Sequence, residues 1–221
     1  MMTRTHRQFA LATLLVGLSL GCAAQTHEHA DHSFKDAEQW AKSFDDPSRD
    51  TWQQPDAVIR ALELSPNMTV ADIGAGTGYF AVRLARAVPQ GRVFGVDIEP
   101  NMVNYLNERA KREGLANIEA RQGAADDPHL ETSVDRVIVV DTYHHIGARE
   151  QYFRRVRAAL KPEGQLAIID FQPDAPAGPP KSSRIPPAQV KAELAKAGFE
   201  FAREPASLPY QYFLVFRQAR D

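Results

Sequence analysis

The chain has 221 residues, 43% of them hydrophobic and 24% charged, which sets it among ordinary globular proteins with room for one domain and appendages. A formal net charge of −2 gives no polyanion-binding signature, so nucleic acid is not an expected partner. A single cysteine, Cys22, excludes an intrachain disulfide and a metal centre built on thiolates.

Residues 1–22 read as a targeting leader. Arg4 and Arg7 make a positive start, an almost wholly apolar run covers 9–20, and small residues follow. That run is short for a permanent bilayer span. Leu18-Ser19-Leu20-Gly21-Cys22 resembles a bacterial lipoprotein box, whose cysteine is lipidated. Cleavage near Ala23 or Ala24, or retention of the leader, are the other readings. The expectation is an exported protein of the cell envelope, lipid-anchored or periplasmic, with membrane contact only through a lipid on Cys22.

Residues 23–50 form a second region. His27, His29 and His32 lie in a polar stretch that suits either a loose metal-ligand set or a solvated tether; the expectation is a tether and no metal. From residue 34 to 52 aromatics mix with charges. This part either folds over a cleft as a lid, with Asp46, Arg49 and Trp52 facing Tyr210 and Tyr212, or lays Trp40 and Trp52 against apolar helices.

Residues 51–221 alternate strand and helix signals. Helical spacing over 57–64 leads into an apolar strand over 68–73, a glycine turn and a helix over 79–87. A strand over 92–97, a helix over 101–113 and a strand over 118–122 come next. A buried-type strand follows over 135–141, then a helix over 150–160. Leu160-Lys161-Pro162-Glu163-Gly164 makes a turn into a strand ending at Phe171. A proline- and glycine-dense linker over 172–183 is either a substrate-mouth loop or plain connection. A helix over 188–197 and strands over 200–203 and 210–217 close the chain, the last alternating in polarity. Such alternation predicts a doubly wound α/β fold with a parallel sheet covered on both faces.

The turn carries the function. Asp72-Ile73-Gly74-Ala75-Gly76-Thr77-Gly78 ends a strand and opens a helix, with backbone freedom and no Cβ at the glycines. Asp97 closes the next strand 23 positions after Gly74. With the L-K-P-x-G turn before the fifth strand, the order and spacing resemble the class I S-adenosylmethionine-dependent methyltransferases, from Trp52 to Phe216. The resemblance implies a Rossmann-like sheet, mostly parallel, with an antiparallel last strand. It also implies S-adenosylmethionine as cofactor and methyl transfer to a small-molecule acceptor, one that the residues leave unidentified.

By that resemblance Gly74, Gly76 and Gly78 form the cofactor turn, and Asp97 reaches the ribose hydroxyls with Ile98 beside it. Asp97 has the alternative of capping the following helix. Asp72, Asp141 and Tyr79 match positions near the amino-acid end of the cofactor, although Tyr79 also suits a plain first-turn residue. The family often places an acid after the glycine at 123; here Ala124 stands there, and Asp126 or Asp127 is the substitute for the adenine contact. Tyr143, His144 and His145 lie where acceptors approach. A histidine there suits proton abstraction from a hydroxyl or amine, or one of the pair is buried and supports the loop.

Two other functions compete. A non-catalytic envelope binding module with the same fold answers the problem that the cofactor is made in the cytoplasm. An NAD(P)-dependent oxidoreductase would want G-x-G-x-x-G, whereas Tyr79 stands where that third glycine belongs. The single cysteine also argues against the arsenite-methylating branch, which relies on several.

Overall fold

The computed structural model describes residues 36–131 and 133–220. The leader, Cys22, His27, His29 and His32 lie outside them.

Seven strands, β1 (Thr69–Ile73), β2 (Arg92–Asp97), β3 (Ile118–Gln122), β4 (Val134–Val140), β5 (Leu160–Phe171), β6 (Phe199–Arg203) and β7 (Gln211–Gln218), form one sheet. Its order is β3-β2-β1-β4-β5-β7-β6. Strands β1 to β5 pair in parallel, and β7 runs antiparallel between β5 and β6. The strand order reverses between β1 and β4, and ligands of open α/β sheets bind in the crevice outside the carboxyl ends of strands at such a point.

Helices α3 (Pro55–Ala61), α4 (Tyr79–Ala87) and α5 (Pro100–Arg112) are followed by α6 (Arg149–Ala159) and α7 (Pro187–Lys196). Two apolar layers result. Val58, Phe80, Leu84 and Leu106 fill one with Phe213 and Val215 of β7, while Phe153, Val156, Val190 and Leu194 fill the other with Leu214 and Phe216. Ahead of the domain, residues 36–53 form α1 (Ala37–Phe44), a 3-10 turn and α2 (Asp50–Gln53).

Three helices start earlier than their apolar spacing predicts. Pro55, Pro100 and Pro187 each occupy the first helical turn, where a missing N–H costs nothing and the fixed φ is already helical. The strand over 210–217 does not alternate. Gln211 through Phe216 are all buried, because an apolar layer covers each face of the sheet: Phe213 and Val215 enter one, Tyr212, Leu214 and Phe216 the other. The turn at 160–164 is a bulge inside β5: pairing jumps from Val134↔Leu160 to Arg136↔Gln165. In the loop over 172–183, Arg184 donates to the carbonyls of Gln172, Pro173, Ala175, Ala177 and Pro179, so one guanidinium organises the whole connection.

Candidate functional site

The glycine turn leaves β1 with φ values of 76°, 53° and 96° at Gly74, Gly76 and Gly78. Their roles differ. A Cβ on Gly74 would lie 2.1 Å from Thr142 Oγ1, and one on Gly78 would lie 2.4 Å from Leu106 Cδ1, so both serve close packing. Gly76 is buried under residues 36–53, and an added Cβ there would meet only the ring of Phe44, at 3.4 Å. The amides of Gly74 and Ala75 donate to Val96 O at 2.8 and 3.0 Å, tying the turn to the end of β2.

Asp97 is held between that turn and the next one. Gly76 N donates to Oδ2 at 2.8 Å and Glu99 N to Oδ1 at 3.0 Å. The helix-capping alternative does not hold, since the cap of α5 is Glu99 and no side chain caps it. Burial raises the Asp97 carboxyl above its usual range, opposed by the Glu99 and Gly76 amides. Ile98 beside it is 53% exposed, an uncovered apolar side chain at the sheet end. Asp126 and Asp127 both pair with Arg155 of α6, at 3.2 and 3.1 Å. Tyr152 of α6, buried, has its hydroxyl titration raised by burial and then by Asp127 and Asp97. Sequence reasoning missed Tyr152, which carries no signal beyond its place in an amphipathic first turn.

Asp72 and Asp141 stand at the ends of β1 and β4. Burial pushes Asp72 up to about 7, with Asp97 adding and Arg49 opposing. Burial likewise pushes Asp141 up to about 7, again with Arg49 as the main opposing charge. Asp141 takes φ +53°, an uncommon angle for a residue with a side chain. It sits in a closed ring of four side chains. Arg49 donates from one terminal nitrogen to Asp141 Oδ2 at 3.1 Å and from Nε to Gln53 Oε1 at 3.1 Å. Gln53 donates to Gln211, and Gln211 donates to Asp141 Oδ1. Gln53 and Gln211 are buried amides that went unremarked in the sequence.

The segment over 36–53 thus lies across the site. Arg49 also donates to Phe44 O at 3.0 Å and stacks 4.3 Å from the Tyr79 ring centroid. Tyr79 gives its hydroxyl to Asp50 and lies between Arg49 and Arg83, the latter at 4.1 Å. Asp45 pairs with Arg109 at 2.7 Å, and Arg109 donates to Thr77 O. Trp52 packs against Phe171 and Tyr210, whereas Tyr212 is buried with its hydroxyl unpartnered among the described residues.

After β4 the three aromatic positions separate. Tyr143 is fully buried, donates to Glu193 Oε2 at 2.6 Å and stacks on Phe153, so it packs between α6 and α7. His144 Nδ1 lies against both oxygens of Asp170. His145 is exposed, its ring 4.1 Å from that of His144. Asp170, one residue before the end of β5, was read only as part of an apolar strand.

Residues 64–204 match a family model described as a methyltransferase domain. Demethylmenaquinone methyltransferase of Listeria welshimeri is 31% identical over 122 residues, covering 54% of this chain and 52% of that protein. Arsenite methyltransferase of Halobacterium salinarum is 30% identical over 152 residues, covering 62% of this chain and 38% of that protein. The chain therefore spans about half or less of the curated relatives it matches. Among solved structures, an S-adenosylmethionine-dependent methyltransferase from Aquifex aeolicus superposes with a TM-score of 0.76 at 28% identity, covering 82% of this chain and 97% of that one.

Proposed function

We propose, from the premise that the chain belongs to the methyltransferase-domain family of class I S-adenosylmethionine-dependent methyltransferases, that it methylates a small-molecule acceptor at the carboxyl ends of β1, β2 and β4. The observation that carries this reading is the Asp97 carboxylate bonded to the amide of Gly76, the turn glycine whose Cβ position is bounded only by the ring of Phe44. A nucleoside held beside this turn meets an acid suited to paired ribose hydroxyls. The donor set fits the cofactor: acids stand ready for hydroxyls and for positive charge, and Arg109, the cation that reaches the turn at Thr77 O, is already paired with Asp45.

In this reading Gly74, Gly76 and Gly78 shape the cradle, and Asp97 accepts from the ribose. The exposed Ile98 side chain flanks the adenine, with Asp126 or Asp127 at its polar edge. Asp72, Tyr79 and Asp141 surround the amino-acid end. When bound, S-adenosylmethionine supplies a methyl group on a positively charged sulfur that already carries a good leaving group. The protein's tasks are then alignment and water exclusion. The buried acids and the Tyr79 ring favour positive charge beside them. His144, held by Asp170, accepts a proton from a hydroxyl or amine acceptor at Nε2; His145 packs against it at a tilt and Tyr143 anchors the loop to α7. The single cysteine separates this chain from the arsenite-methylating chemistry named for one relative.

Thermal denaturation of the protein with S-adenosylhomocysteine, with NAD and with neither is the test. Saturation at a hundred times the dissociation constant adds about 2.7 kcal/mol of stability. A shift with S-adenosylhomocysteine that Asp97→Ala abolishes supports the reading. A shift with NAD alone overturns it, and no shift with either favours the binding-module alternative. Export with a lipid on Cys22 belongs to the proposal on sequence grounds alone; palmitate labelling that survives Cys22→Ala refutes it.

A further inference from the structure

We propose that Arg49 binds the carboxylate at the amino-acid end of the cofactor, so that residues 36–53 select for an intact amino acid and not for the nucleoside alone. This rests on the cofactor reading above. Arg49 lies outside the matched family region, and its guanidinium and Asp141 form an ion pair at 3.1 Å with both side chains largely withdrawn from solvent. An amino-acid end carries one positive and one negative group. The ammonium complements Asp141 and the carboxylate complements Arg49, which replaces one ion pair by two.

The guanidinium has capacity for this. Three of its N–H groups serve Gln53, Phe44 O and Asp141, and an arginine has five. The Tyr79 face and the Gln53 side chain fix its plane, and a planar fork suits a carboxylate where a lysine would not. Asp141 is held independently by Gln211, so it keeps its place when Arg49 turns to a ligand. Phe44, whose carbonyl Arg49 holds, lies against Gly76, so the same guanidinium couples the amino-acid end to the cover over the turn.

Calorimetric titration of the full chain with S-adenosylhomocysteine and with 5′-methylthioadenosine, which has the nucleoside and sulfur but no amino acid, tests the inference. Arg49→Met is expected to weaken S-adenosylhomocysteine about 10- to 100-fold and to leave 5′-methylthioadenosine within about twofold. Arg49→Lys keeps the charge beside Asp141, so it guards against a folding defect; it should still lose about tenfold for S-adenosylhomocysteine alone. Both tryptophans of the chain, Trp40 and Trp52, lie in this segment, so tryptophan emission should shift with S-adenosylhomocysteine and not with 5′-methylthioadenosine. Equal weakening of the two ligands, or of neither, overturns the inference. Failure of the unsubstituted chain to bind either ligand overturns the cofactor reading and this inference with it.

Discussion

His144 Nδ1 lies 2.9 and 3.0 Å from the two carboxylate oxygens of Asp170, and the pair is withdrawn from solvent at 5% and 2% side-chain exposure. Asp170 also accepts from the backbone amides of His144 and Phe171. A carboxylate on Nδ1 holds the proton there and leaves the Nε2 lone pair for a base. Among the described residues nothing bonds to Nε2.

Asp170→Asn and His144→Gln should each lower methyl transfer about 100-fold or more while leaving affinity for S-adenosylhomocysteine nearly unchanged. The double variant should be little worse than either, because the two act as one unit. Turnover with an acceptor found by a methylation screen, paired with a binding titration, checks this. A matching loss of cofactor affinity would reduce the pair to a loop support.

The three turn glycines should respond unequally. Gly74→Ala drives a methyl group into Thr142 and should cost several kcal/mol of stability, on the scale of overpacking added to backbone strain. Gly76→Ala meets only an ordinary contact with Phe44, so it should cost about 1–2 kcal/mol from its positive φ and mainly reduce cofactor binding. Urea denaturation beside a nucleoside titration separates the two; equal stability losses would contradict the assignment.

Acidity tunes stability through the buried acids. The folded protein keeps a proton on Asp72 up to about pH 7, whereas the unfolded chain loses it near 3.8. The native state therefore binds more protons between those values. Stability should fall as pH rises from about 4 to about 7 and level off above, with a slope of at most about 1.4 kcal/mol per pH unit for each such acid. Asp72→Asn should flatten that fall and raise stability at pH 8 relative to the unsubstituted protein. Denaturation midpoints at pH 4.5, 6 and 8 give the comparison; parallel curves would show that Asp72 ionises freely.

Two buried tyrosines make opposite predictions. Tyr212→Phe removes a hydroxyl that is buried and unpartnered among the described residues, so it should be neutral or stabilising. Tyr143→Phe breaks the bond to Glu193 between the loop after β4 and α7 and should cost about 1–2 kcal/mol. Both are read from the same denaturation assay, and a destabilising Tyr212→Phe would reveal a partner for that hydroxyl.

Much of the fold was legible in the amino-acid order. The helix over 79–87 and the strand over 118–122 fall where periodicity placed them, because apolar spacing reports which face is covered. Asp97 was legible as well, since the acid that closes the second strand is placed by the strand itself. Other features were not. Tyr143, His144 and His145 are consecutive aromatic side chains, yet one is in the core, one on Asp170 and one exposed. Local sequence carries no signal for that division, which is decided by what α7 and β5 bring to the loop.

The sequence by itself determined the succession of strands and helices, the glycine turn and the acid beside it, because these follow from backbone freedom, apolar period and chain connectivity over a few residues. Only the tertiary structure decided the ring that joins Arg49, Gln53, Gln211 and Asp141. Its members are 92 residues apart at one bond and 158 at another. Contacts of that span arise because β7 inserts beside β5 and the leading helices fold back over the sheet end, and polar partners so distant leave no mark in local pattern.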